Sequence, residues 1–281
     1  MARLAPFLSP SSPSLNEEYT HALFHHSATL GSSKCLWFPN DSPDIAILFI
    51  PGNPGLSEFY IPFLSQIYKS TNACILAQSH LGHEDIGLAS STDLLSQVAA
   101  AIEAFDALKH AYSNAKTFMI GHSVGSWISL ETLPMGTPSR QWAFRPPAPN
   151  LISKFSHLLR FVPSVILSTV FYEWPRTQLN VLRALLRSPS CVRACLAMAH
   201  EEMMTIRELD VELLQTHRRR IHMYFAETDR WVGKNKQLIL SSFEPQPVKV
   251  VQGDHGIPHA FCINHSQELA DQCLRWFESA L

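Results

Sequence analysis

Apolar and polar positions along this chain follow two rhythms, one with the period of a strand and one with that of a helix. The first clean run is Ile45–Ile50 (IAILFI), set between the turn-like NDSPD and PGNPG. An unbroken apolar run of this length predicts a strand covered on both faces, as in a parallel sheet under helices. A weaker strand is expected before it at Lys34–Phe38. Residues 58–70 (EFYIPFLSQIYKS) have helical spacing, and Cys74–Gln78 (CILAQ) predicts the next strand. Thr92 or Asp93 can then cap a helix in which Leu95, Val98, Ile102, Phe105 and Leu108 recur at helical intervals. Lys116–Ile120 predicts a further strand that runs directly into GHSVGS. Strands alternating with helices in this way predict an α/β fold with right-handed crossovers and a mostly parallel central sheet.

The rhythm breaks at residues 133–150 (LPMGTPSRQWAFRPPAPN). Pro134, Pro138, Pro146, Pro147 and Pro149 cannot donate ladder hydrogen bonds, so no regular central strand is expected there. From Leu151 to His217 the pattern is helical only, divided by Pro163, Pro175 and Pro189. Strand character returns at Ile221–Phe225 and Val248–Gln252, and Leu269, Cys273 and Phe277 mark one face of a closing helix. The expected plan is one domain over residues 1–281, with 151–217 inserted as a helical lid.

Composition narrows the class. Hydrophobic residues make up 46% of the 281 and charged residues 16%, which excludes a largely disordered chain. The net charge of -2 gives no general attraction for nucleic acid. Six cysteines without a close CxxC pair do not form a disulfide framework. Cys191, Cys195 and His200 lack a suitably spaced fourth ligand, so packing is expected of them rather than metal binding. Arg218–Arg220 reads as a solvated helix end. Residues 151–172 (LISKFSHLLRFVPSVILSTVFY) are cationic at first and uncharged from Phe161 onward, a pattern suited to resting in a lipid surface.

The sharpest chemical signal is Gly121-His122-Ser123-Val124-Gly125, which satisfies G-x-S-x-G between a strand and a helix. A tight turn there would lift the serine hydroxyl above the sheet. The bland alternative, a glycine-rich turn with a structural serine, does not require that flanking context. A serine hydroxyl needs a histidine base oriented by a carboxylate. Asp229 follows an apolar strand at its carboxyl end, and His259 lies between the last strand and the closing helix. Glu227 is the alternative acid; Glu244 and His265 are further candidates by order alone. Asp254 and His255 are expected to organise the loop. For the oxyanion, the backbone N–H groups of Val124 and Asn53 are the expected donors, because PGNPG follows the first buried strand and Pro54 has no N–H.

Taken together, FIPGNPGLSEFYIPFL, SHLGH, GHSVGS, TDRW and IPHAF resemble the lipid droplet-associated hydrolase family. The resemblance extends over about residues 45–132 and 150–280. It implies an α/β-hydrolase fold, with Ser123 as nucleophile, Asp229 as acid and His259 as base. It further implies an esterase for neutral lipid or sterol esters, needing no metal or organic cofactor, at the monolayer of lipid droplets or the endoplasmic reticulum surface. The segment GTPSRQWAFRPPAPN departs from the family, whose members have an apolar strand there. That predicts a missing or irregular strand near 133–150, from an unusual sheet repair or an imperfect gene translation. The competing expectations are a droplet-binding protein with little turnover and a soluble hydrolase of small esters.

Overall fold

The computed structural model describes residues 4, 7–11, 18–83, 91–133, 164–206, 209–226, 229, 232, 235–241, 249–252 and 256–280. The strands among them are β1 (Leu8–Pro10), β2 (Thr20–His25), β3 (Ser32–Phe38), β4 (Ile45–Ile50), β5 (Ala73–Gln78), β6 (Lys116–Gly121), β7 (His222–Phe225) and β8 (Lys249–Gln252). The helices are α1 (Ile61–Ser70), α2 (Leu94–Ala111), α3 (Val124–Glu131), α4 (Ser164–Val170), α5 (Arg176–Arg187), α6 (Pro189–Thr205), α7 (Val211–His217), α8 (Asn235–Ser241) and α9 (Ser266–Ala280).

Every residue of β4 is buried because the strand feeds two cores at once. Ala46, Leu48 and Ile50 meet Ala101, Ala104 and Leu108 of α2 and Val124 and Ile128 of α3. Ile45, Ile47 and Phe49, pointing the other way, meet Phe63, Leu64 and Ile67 of α1 and Leu269, Cys273 and Phe277 of α9. The period-2 alternation of a strand therefore builds a helix–sheet–helix sandwich from one apolar run. Asp93 caps α2, its carboxylate accepting the Ser96 N–H at 2.7 Å.

The main sheet has the order β1-β2-β3-β5-β4-β6. Its strands β5, β4 and β6, joined by helical crossovers, run parallel, as do β7 and β8 in a second sheet. The sheet as a whole is mixed rather than mostly parallel, because β1, β2 and β3 pair antiparallel with one another and β3 pairs antiparallel with β5. Strands β2 and β3 are joined by a short turn, a connection that only antiparallel strands can use. Among the described residues, nothing pairs with the outer edge of β6, and the strands fall into separate sheets of six and two. The irregular strand expected at 133–150 falls almost wholly outside the described residues.

Helices α4 to α7 occupy the span between the two sheets in sequence. Their boundaries follow the prolines: α4 begins after Pro163, Pro175 precedes α5, and Pro189 opens α6. Gln178 of α5, only 1% exposed, ties this helical stretch to the body. Its Nε2 donates to the Phe59 and Cys262 carbonyls, each at 3.0 Å. Of the segment 151–172, residues 151–163 lie outside the described residues.

Candidate active site

The carboxyl ends of the parallel strands converge on Ser123, which stands between β6 and α3 with φ 54° and ψ −124°. It is the one non-glycine residue with positive φ among those described. A backbone strained by roughly 1–3 kcal/mol in this way persists only where its surroundings hold it. Close packing supplies that hold. A Cβ placed on Gly125 would lie 2.3 Å from the Ile50 carbonyl oxygen, so any side chain there would push α3 off β4. A Cβ on Gly52 would lie 2.9 Å from the Ser123 Cβ, which shows how closely the loop after β4 runs past the serine.

His259, in the loop before α9, points its Nε2 at the Ser123 Oγ at 3.0 Å. Its Nδ1 lies 2.7 Å from Oδ2 of Asp229, whose side chain is 5% exposed. With the Nδ1 proton donated to the carboxylate, Nε2 is left as an acceptor for the serine proton. Asp229 Oδ1 also accepts the Val232 N–H at 3.2 Å, which fixes the carboxylate from behind. His265 instead faces Glu268 at 3.1 Å on α9. Glu227, Glu244, Asp254 and His255 lie outside the described residues.

Val124 follows the serine in the chain, and Asn53 follows Gly52, which packs against the serine. Val124 opens α3, where the first N–H groups of a helix lack intrahelical acceptors and carry the positive end of its dipole. Among the described residues neither Val124 N–H nor Asn53 N–H has a backbone acceptor. The Asn53 side chain turns away toward α6, donating to the Cys195 carbonyl at 2.8 Å and lying 3.4 Å from Glu202 Oε1. Burial raises the Glu202 carboxyl to about 7, with the Asn53 contact partly opposing the rise.

Two buried histidines from the sequence SHLGH underlie the same loop. His83 Nδ1 donates to the Pro54 carbonyl at 2.8 Å, and His80 is bonded to the Pro51 backbone. Burial pulls His80 down to about 3 and His83 to about 4, so both are neutral props at physiological pH. Sequence reasoning singled out SHLGH without assigning it a role, and it passed over Tyr60, His122 and Glu202. The signal for the middle one was its place between Gly121 and Ser123; for the others, no spacing in the sequence points to the loop they support. Among the described residues no group of three His, Cys, Asp or Glu side chains is arranged to hold a metal ion.

The family model described as lipid-droplet associated hydrolase matches residues 43–141 and 143–262. The chain is 27% identical over 283 residues to a lipid droplet-associated hydrolase of Pongo abelii, covering 82% of this chain and 83% of that protein. It is 26% identical over 269 residues to a protein of the same description from Dictyostelium discoideum, covering 83% and 87%. Among solved structures, it is similar to the 2-hydroxy-6-oxo-6-phenylhexa-2,4-dienoate hydrolase of Rhodococcus sp. strain RHA1. That match has a TM-score of 0.62 at 16% identity and covers 93% of this chain and 99% of the other. At such identity the likeness concerns the fold, an α/β-hydrolase fold with helical insertions.

Proposed function

The chain belongs to the lipid-droplet associated hydrolase family, and from that premise we propose a serine esterase that cleaves neutral lipid esters, sterol esters among them, at the droplet surface. The observation that carries the reading is the run of contacts from Ser123 Oγ to His259 Nε2 at 3.0 Å and from His259 Nδ1 to Asp229 at 2.7 Å.

In this reading Ser123 Oγ attacks the ester carbonyl carbon while its proton passes to His259 Nε2. Asp229 stabilises the imidazolium. The Asn53 and Val124 N–H groups hold the oxyanion that develops, and the positive end of α3 favours the same charge. Collapse expels the alcohol, which takes the proton from His259 and leaves an acyl group on Ser123. Water, deprotonated by the same imidazole, then releases the acid and restores the serine.

The helices before β7 are proposed as a lid that meets the lipid. Ile166, Val170, Tyr172, Met203 and Val211 are all exposed there, an unusual run of large apolar side chains facing outward. No helix among the described residues is long and apolar enough to cross a membrane. Contact with a droplet monolayer or the endoplasmic reticulum surface is proposed to be made through these exposed side chains.

A fluorophosphonate probe, followed by peptide mapping, tests the chemistry, and sterol and glycerol esters on emulsions test the substrate. Label on Ser123 and turnover that both vanish in S123A are expected. A folded wild-type chain that takes no label at Ser123 would overturn the reading.

A further inference from the structure

One chain of hydrogen bonds crosses the site without touching Ser123. It begins at the loop after β4, where the Gly52 N–H donates to the Tyr60 hydroxyl at 3.1 Å. The Tyr60 oxygen lies 2.7 Å from His122 Nδ1. His122 Nε2 lies 2.9 Å from the main-chain carbonyl of His259. For a neutral His122, protons can be assigned along it. A carbonyl only accepts, so His122 Nε2 must carry the ring proton. Nδ1 of the neutral ring is then an acceptor, and the tyrosine must donate to it. With His122 neutral, this arrangement satisfies the Gly52 N–H, the Tyr60 hydroxyl and both ring nitrogens.

Packing fixes the same pieces. Tyr60 is 3% exposed. Its ring meets His122 edge-on at 5.6 Å, and Phe261 meets His122 edge-on at 5.0 Å. The His259 carbonyl also accepts the Phe261 N–H at 2.9 Å, so both its lone pairs are engaged. The main chain beneath the base is thereby tied to the nucleophile turn on one side and to the oxyanion loop on the other.

We propose that His122 and Tyr60 are positioning residues of the hydrolytic site, a neutral relay that sets the main chain of His259, and so its imidazole, against Ser123. The inference rests on the serine-esterase reading above. Neutrality is part of the function. The His122 and His259 rings are 5.0 Å apart, and a charged His122 would oppose the imidazolium that forms on His259 during attack. Burial, followed by the nearness of His259, pulls His122 down to about 4. Its contact with the His259 backbone and the charge of Asp229 pull weakly the other way. At neutral pH His122 thus stays uncharged beside His259.

The full-length chain and four variants, H122F, H122Q, H122N and Y60F, test this by the rate of fluorophosphonate labelling from pH 5 to 9, alongside thermal unfolding. H122F should label about 10- to 100-fold more slowly, the usual cost of a misplaced catalytic group, yet reach the same final labelled fraction. H122Q, whose amide N–H reaches the position of Nε2, should recover most of that rate; the shorter H122N should not. Y60F, which frees the His122 tautomer, should fall between. A residue that merely supports the fold would instead lower the melting temperature and the final labelled fraction of H122Q and H122N alike. If H122F melts below the assay temperature, the amide pair carries the comparison. A folded H122F that labels at the wild-type rate, or an H122Q no faster than H122N, overturns the relay alone. A wild-type chain unlabelled at Ser123 overturns the relay and the esterase reading together.

Discussion

Asp229→Asn keeps the shape of the acid while removing its charge, and so isolates what the carboxylate does for His259. An amide that presents its NH2 to Nδ1 makes that nitrogen an acceptor and moves the ring proton to Nε2, where it can no longer receive one from Ser123. Ester turnover should fall by about 10⁴-fold with melting behaviour little changed, since comparable substitutions in serine hydrolases act through the tautomer. A fall of less than tenfold in initial rates at saturating ester would remove Asp229 from this role. The three residues that lie in contact here could be read from the sequence by order and by position at strand ends, because the ends of parallel strands must share one crevice. Tyr60 and His122 could not be read that way. Their meeting depends on how far α1 is shifted against β6, and no spacing along the chain records it.

At the level of elements, apolar run length was the most legible feature. IAILFI becomes β4 with both ends as expected, and each proline between 163 and 189 marks a helix start. The N-terminal strands β1 and β2 were illegible for a physical reason. β1 has only three residues, and β2, though as long as β4, interrupts its apolar positions with polar ones; β1 takes its register from β2, and β2 from β3. Contacts between elements were equally hidden, Gln178 above all. Its one amide nitrogen serves two buried carbonyls, those of Phe59 and Cys262. Gln178→Leu should therefore cost about 2–4 kcal/mol in urea unfolding, since two acceptors lose their donor without water replacing it. It should also hasten proteolytic cleavage among α4 to α7. A loss under about 0.5 kcal/mol would mean that those carbonyls find other partners.

The whole molecule carries an acid liability set by its buried histidines. Folding holds His80 near 3 and His26, His83 and His122 near 4, whereas histidines in an unfolded chain bind protons below about 6.5. Above that pH both states are neutral and these groups leave stability flat. Between about 6.5 and 4 only the unfolded state takes protons, so stability falls as pH falls. Glu202, raised to about 7, acts in the opposite sense, because the folded state keeps its proton after the unfolded chain has released it. Near pH 5 these five groups together should give a net uptake of about three protons on unfolding, and E202Q should raise it to about four. Urea midpoints measured at pH 7, 6 and 5 check both; a midpoint unchanged across that range would refute the assignment of neutral histidines. A last consequence follows from the two sheets. Ser123 leaves the six-stranded sheet, whereas Asp229 follows β7 and His259 follows β8 of the other. In the proposed esterase, reactivity would belong to the seam, and a serine-directed probe would become a census: it would count the molecules in which both halves are seated, passing over any chain that is merely half assembled.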